Sequence, residues 1–424
     1  MPAFELPNCE LGVATAATQI EGGQLDTNWH RWAAAGRIKD GSSPARACDH
    51  WNRVFEDIDL LVELGIKHYR MGIEWARVEP DPGQFDRDAI QHYRDEVAAL
   101  RAAGIAPLVT IHHFNLPGWL VDSGGWLGPD IRVAFGRLTR LLVTELGSWV
   151  EEWIPINEPN IYATHGFLYG EWPPGERSAI KALRVMQVEA EVHIAAYQMI
   201  HALQPHAKVG SASHLRAFAP ADVRNPLHRV AAAGGEYLFQ RALLKAMNTG
   251  RFDPPFVRPS GVVPGRYYDF QGVNYYSRST VRSIGDGVAD GVPVNDLGWE
   301  IYPAGIIEVC RWIHEAYPSP IYITENGTCD NSESFRSRYL YDHLSQIAAS
   351  ELPIQRYYHW CFTDNWEWAE GEVPKFGLVG LDYQTQERTI KDSGRFFADI
   401  IANSGVTQAA FERWVADQQY RTNS

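Results

Sequence analysis

Glu325 stands near the end of the stretch "YITENG", and Glu158 near the end of "IPINEPN". In each, β-forming residues run up to a carboxylate that is followed at once by turn-forming Asn, Gly or Pro, so both carboxylates stand where the chain leaves a sheet. A lone glutamate in such a place most simply caps the turn or pairs with an arginine in solvent. Two in matching settings suggest a shared task. Paired carboxylates can divide the cleavage of a glycosidic bond between them, one attacking the anomeric carbon or activating water, the other protonating the departing oxygen.

For that, something must bring positions 158 and 325 together. Eight β-rich runs recur along the chain, at 11–19, 67–75, 106–114, 149–159, 207–215, 269–277, 319–327 and 354–365. Between them lie segments such as "HWNRVFEDIDLLVELG" and "DAIQHYRDEVAALRAAG", apolar at three-to-four spacing and stopped by Gly65 and Gly104. Strand and helix alternating in this way predict an α/β fold, a (β/α)8 TIM barrel formed by residues 1–424 as one domain, because parallel strands need helical crossovers. The reading is thinnest at 216–268, where long loops around an irregular helix are expected. Active sites of such barrels lie at the C-terminal strand ends. Gln19, Arg70, His113, Glu158, Tyr276, Glu325 and Trp360 sit late in seven different runs, so they are expected to converge on one pocket.

Composition narrows the ligand. The 424 residues carry a formal net charge of −14, which argues against a nucleic-acid backbone or an anionic membrane surface as partner. The 15 tryptophans supply core packing, and their flat faces also suit the C–H faces of sugars. Five scattered cysteines without CxxC spacing read as reduced thiols and, with an N-terminus lacking a basic and an apolar leader region, predict a cytoplasmic protein. His112 and His113 are adjacent in a strand and point to opposite faces, so they cannot share a metal ion unaided; His112 is expected to be a hydrogen-bonded core residue. Trp366 and Trp368, two apart, read equally as packing or as a sugar platform.

"INEPN" and "YITENG", together with "ATQIEGG", "HHFNLPGWL", "GVNYYS" and "HWCFTDNWEWAEG", resemble the signature segments of family 1 glycoside hydrolases, the retaining β-glucosidase family, from Gly12 to about Tyr383. The resemblance implies that Glu325 is the nucleophile and Glu158 the general acid/base, about 5–5.5 Å apart, in a double displacement through a glycosyl-enzyme. It makes Arg70, Asn274 and Tyr276 supports of the nucleophile. Gln19, His113, Asn157, Glu367 and Trp368 match positions that hold the non-reducing sugar, with Trp360 as its stacking floor and Trp299 beside the aglycone. It implies no cofactor and no metal, and a small β-glycoside or oligosaccharide as substrate, with terminal β-D-glucosyl residues removed and galactosyl or fucosyl units also accepted. A transglycosylating enzyme and a non-catalytic sugar-binding protein are the competing readings, and the oligomeric state is not readable. Phe114, Asn115 and Cys361 depart from the usual Trp, Asp and Ser, which touches sugar preference rather than the reacting groups. Glu367 as a carboxylate is expected to repel a 6-phosphate, with Lys375 the nearby cation that could undo this.

Overall fold

The computed structural model describes residues 3–283 and 286–423. Eight strands form the barrel: β1 (Glu10–Ala14), β2 (His68–Gly72), β3 (Ala106–His112), β4 (Glu152–Ile156), β5 (Lys208–Pro220), β6 (Phe270–Val281), β7 (Ile321–Asn326) and β8 (Ile354–Trp360). Each pairs in parallel with the next, and β8 pairs with β1 to close the ring. The crossovers are helices α1 (His50–Glu63), α2 (Arg87–Ala102), α3 (Ile131–Leu146), α4 (Ala179–Leu203), α5 (Pro226–Glu236), α6 (Ala242–Thr249), α7 (Gly305–Ala316) and α8 (Arg336–Ala348), with α9 (Asp392–Asn403) following β8.

The helices form for the reasons their sequences give. α2 starts on Asp86, whose carboxylate accepts from the amides of Asp88 and Ala89, and buries Ile90, Tyr93, Val97 and Leu100 on one face. Gly65 and Gly104 end their helices at positive φ, the left-handed position that glycine takes without steric cost. Strand interiors such as His68–Gly72 are buried throughout, as expected when helices cover the outside of a barrel and side chains fill the inside. Gly327 shows why a glycine follows "TEN": a Cβ there would run into the carbonyl oxygen of Trp360 on β8.

Several boundaries differ from the sequence reading. β1 stops at Ala14, and Gln19 lies on a short helix, Ala17–Ile20, rather than on the strand. β4 spans only Glu152–Ile156, and β8 ends at Trp360. The stretch 216–268 is more regular than expected. β5 continues to Pro220, paired with β6 as far as Val281 across a register shift between Leu215 and Ala217. α5 and α6 are joined through a π-helical turn at Tyr237–Arg241. Asn225 caps α5 and Pro226 occupies its first turn, a start signal that the surrounding Gly and Pro residues obscured. Among the described residues no helix is long and apolar enough to cross a membrane.

Candidate active site

At the C-terminal end of the barrel the strand ends surround a cavity of about 420 Å³. Its walls include Glu158, Glu325, His113, Tyr276, Trp299, Trp360, Glu367 and Trp368. Glu325 is held by β7 itself. Glu158 follows the last strand residue by two, in the left-handed region (φ 40°, ψ 58°), with Pro159 opening the short helix Pro159–Ala163. Such a backbone is strained for a residue other than glycine, on the order of 1–3 kcal/mol, and here the hydrogen bond that the Glu158 amide N–H donates to the carbonyl of Ala212 at 2.7 Å helps to fix it.

Arg70, fully buried on β2, donates through Nη1 to Glu325 Oε1 at 2.5 Å and through Nη2 to Asn157 Oδ1 at 2.6 Å. Tyr276 donates its hydroxyl to the other oxygen of Glu325 at 2.6 Å. Glu158 has a different environment. Asn274 donates to its Oε1 at 2.8 Å and His214 Nδ1 lies 3.1 Å from the same oxygen. Asn274 therefore serves Glu158 and, at 3.1 Å, Asn157; its link to the strand of Glu325 runs through the hydroxyl of Thr324. Asn274, expected to support the nucleophile, thus pairs with Glu325 through the β6–β7 ladder, while its side-chain amide serves Glu158 and Asn157.

Burial raises both carboxyls, each to about 7, against the opposing pull of Arg70 on Glu325 and of Asn274 on Glu158. The pair thus holds a proton near neutral pH, and the neighbours decide where it sits. Glu325 has a guanidinium in direct contact, whereas the donors that touch Glu158 are an amide and an imidazole that burial and Arg216 hold neutral. The ion pair favours charge on Glu325 and the proton on Glu158.

The remaining sequence candidates form the inner wall. Asn157 Nδ2 lies 2.9 Å from His113 Nε2, while His113 Nδ1 is buried without a partner among the described residues. His113 is flanked by Trp360 at 5.7 Å and Trp368 at 5.8 Å, both rings within about 31° of parallel. Gln19 stands behind this wall. Its Nε2 donates to Asn365 Oδ1, the Trp366 carbonyl and Glu367 Oε2 at 3.0, 2.9 and 3.1 Å, and its Oε1 is buried and unpartnered. Burial raises Glu367 to about 8, which favours its protonated form over the carboxylate expected from sequence. Lys375 does not line the cavity; its ammonium sits over the ring of Tyr383 and donates to the Glu372 carbonyl.

Trp366 is fully buried and packs edge-on against Trp29, so it is core, while Trp368 lines the cavity. Trp299 is 37% exposed at the cavity wall, edge-on to Tyr276. His112 faces outward, edge-on to Trp126 and Tyr162, and neither ring nitrogen has a hydrogen-bond partner among the described residues. The expected hydrogen-bonded core histidine is therefore a packed, unpaired one, held neutral as burial lowers it to about 3. Among the described residues no group of three or more His, Cys, Asp or Glu is arranged to hold a metal ion.

The profile of Glycosyl hydrolase family 1 matches residues 8–257 and 266–406. The chain belongs to this family. It is 33% identical to Beta-glucosidase A of Thermotoga maritima over 93% of its own length and 97% of that protein. Among solved structures, the Thermotoga maritima β-glucosidase in complex with glucoimidazole superposes with a TM-score of 0.89 at 31% identity, covering 96% of this chain and 100% of that one. A β-glycosidase from Pyrococcus horikoshii gives 0.90 at 32% identity over 98% of both chains. The chain is accordingly a glycosidase on a (β/α)8 barrel.

The sequence reading missed part of this family 1 site. His214 and Arg216 come from β5, and His165 and Trp172 from the segment after the short helix that follows Glu158. Arg37 and Lys39 reach the cavity from the loop after Asn28–Ala34, with Lys39 paired to Glu370 at 2.6 Å. His214 and Arg216 alternate with an intervening leucine in "SHLRA", which marks them as sharing a strand face, but nothing local says that this face meets Glu158.

Proposed function

We propose that this chain is a retaining exo-β-glycosidase that removes terminal β-D-glucosyl residues from small glycosides, with Glu325 as nucleophile and Glu158 as general acid/base. The observation that carries the reading is the asymmetry of the two carboxyls: one ion-paired and oriented by Arg70 and Tyr276, the other on neutral donors. An ionised, doubly oriented Glu325 is prepared to attack the anomeric carbon, and a protonated Glu158 to give its proton to the leaving oxygen. When the glycosyl-enzyme forms, the charge on Glu325 is consumed. Glu158, now a carboxylate, takes a proton from the incoming water, and one residue serves both half-reactions.

The sugar would lie on Trp360, with hydroxyls engaging the unpartnered Nδ1 of His113 and the carboxyl of Glu367, which Gln19 holds from behind. Asn157, its Oδ1 fixed by Arg70 and Asn274, has a second Nδ2 proton for the 2-hydroxyl, a contact that strengthens in an oxocarbenium-like transition state. The aglycone then meets Leu297, Trp299 and Phe376 at the wall. Glycosides phosphorylated at O6 are disfavoured, because a phosphate dianion would be buried beside Glu367 with Lys375 directed elsewhere, Lys39 paired to Glu370 and Arg37 stacked on Trp32.

The test is hydrolysis of a panel of aryl β-D-glycosides with the anomer of the released sugar followed by NMR. β-D-Glucose as first product supports the reading; first release of the α-anomer overturns retention, and no release from any β-glucoside overturns the substrate. Added alcohol separates hydrolysis from transfer, since an acceptor captures the same covalent intermediate.

A further inference from the structure

His214 enters the reading above only as a neutral neighbour of Glu158, yet its geometry assigns it a more specific part. Its Nε2 lies 3.0 Å from Nε of Arg216, and its Nδ1 lies 3.1 Å from Glu158 Oε1. A guanidinium nitrogen only donates, so His214 Nε2 is an acceptor and the single proton of the neutral ring is on Nδ1. Nδ1–H therefore donates to Glu158 Oε1. Asn274 donates to that same oxygen at 2.8 Å. An oxygen that already accepts two N–H groups has no room for a hydroxyl hydrogen on the same side, which leaves the proton to Oε2.

The ring is held in place for this. It is stacked on Tyr276 at 5.7 Å with 16° between planes, and Phe239 meets it edge-on at 6.1 Å. Tyr276 in turn donates to Glu325, so the two carboxyls are oriented through one packed unit.

We propose that His214 is a positioning residue for the acid/base: locked as the Nδ1–H tautomer by Arg216, it makes Oε1 of Glu158 a permanent acceptor and reserves Oε2 as the oxygen that gives and regains the proton. The inference rests on the reading of Glu158 as the acid/base. The bond from His214 is between neutral groups while Glu158 is protonated, and becomes charge-assisted once the proton leaves, so it eases proton release in the first half-reaction. The other charged or titratable groups around Glu158 are Arg70, Arg216, Glu325, Tyr276 and Glu367, with His165 beside Arg216 and His214 and paired to Glu171. Burial and Arg216 hold the His214 imidazole well below its usual range, consistent with a neutral ring throughout the working pH range.

The test compares two substitutions of nearly equal shape, His214→Asn and His214→Leu. Asn Nδ2 occupies the place of His Nδ1 and keeps the donor, whereas Leu removes it. Two readouts are taken: the alkaline limb of kcat/KM for cellobiose, and the infrared titration of the Glu158 carboxyl without substrate, referenced to Glu158→Gln. The expected result is a limb and a titration raised by about one pH unit in His214→Leu and left near the wild-type position in His214→Asn. The loss of kcat/KM in His214→Leu should also be larger for cellobiose than for a dinitrophenyl glucoside, whose leaving group needs no proton. Equal titrations in the two variants, or a limb unmoved in both, would overturn the proposal. If His214→Leu does not fold, His214→Phe, which fills the volume of the ring, replaces it under the same criteria. An infrared shift in a protein that cleaves no β-glucoside would leave the His214–Glu158 link standing and remove the glycosidase reading instead.

Discussion

Two buried clusters of charged and polar groups lie on different sides of the barrel wall, and they differ in how completely their charges are matched. Outside the wall, His50 of α1 sits between Asp57 at 2.7 Å and Glu96 of α2 at 3.2 Å, and Arg388 forks onto Asp57 at 2.8 and 3.1 Å. Its four members are almost wholly shielded from solvent. At the mouth, Glu158, Glu325 and Glu367 share a cavity, and among the described residues Arg70 is the one cation seen bonded to any of the three.

The consequences are opposite. Burial disfavours a charge on His50, yet Asp57 and Glu96 outweigh it and raise His50 to about 10, while His50 and Arg388 hold Asp57 below its usual range. That cluster keeps its charges at neutral pH and is chemically idle. In the mouth burial wins, and the carboxyls are pushed up to about 7, 7 and 8, so that protons are available where a substrate can reach them. Incomplete compensation, open to a cavity, is what separates a reactive cluster from a structural one.

The largest effect should come from removing Glu325, the carboxylate of the mouth that Arg70 holds. Glu325→Ala is expected to lower turnover by about 10⁴-fold or more, and added azide, entering the vacated space, should restore cleavage and give an α-glycosyl azide. Substantial unaided turnover by the purified variant would deny Glu325 its role and place the mouth beside the idle cluster.

Breaking the compensated cluster should do the converse. Arg388→Met leaves Asp57 short of a partner and should cost about 3–5 kcal/mol, seen as a fall in Tm with kcat/KM of the folded protein unchanged. The pH dependence follows from the sign of the His50 shift. Its folded value lies above the unfolded one, so its contribution is fully present below about 6.5 and lost as pH rises toward about 10. Tm should therefore decline across that window, and His50→Phe should flatten the decline. A wild-type Tm that is level from pH 7 to 10 would remove the charge from His50.

The smallest effect sharpens the contrast. Glu158 is an acid raised from 4.5 to about 7, so ionising it in the fold is unfavourable by on the order of 3 kcal/mol, a penalty that sets in as pH rises from 4.5 and is complete above about 7. Glu158→Gln, a neutral copy of the protonated acid, should raise Tm by about 2–5 °C at pH 8.5 and leave it unchanged near pH 4.5. The same gain at both values would assign the effect to packing rather than to charge.

The barrel was legible because its signals are local. β-Formers running into Asn, Gly or Pro, and three-to-four periodicity stopped by Gly65 and Gly104, reflect interactions within a few residues of chain. For the same reason Glu158 and Glu325 could be placed at strand ends from sequence, and the motifs around them pointed to the family that the comparisons establish. The 216–268 stretch was less legible, since the continuation of β5 to Pro220 depends on its pairing with β6 and not on its own residues.

What the sequence by itself determined is the order of the elements, the end of the barrel at which the cavity opens, and the two carboxyls that line it. Tertiary structure alone decided what each carboxylate touches. His214 is 56 positions from Glu158, and Asn274 is 116, yet both donate to the same oxygen. It also decided that Gln19 stands behind Glu367, that His112 is packed without a hydrogen bond, and that Lys375 points away from the cavity. The physical reason is range: strand and helix signals are written in backbone preferences of neighbouring residues, while protonation depends on burial and on charges that meet only after the ring of strands has closed.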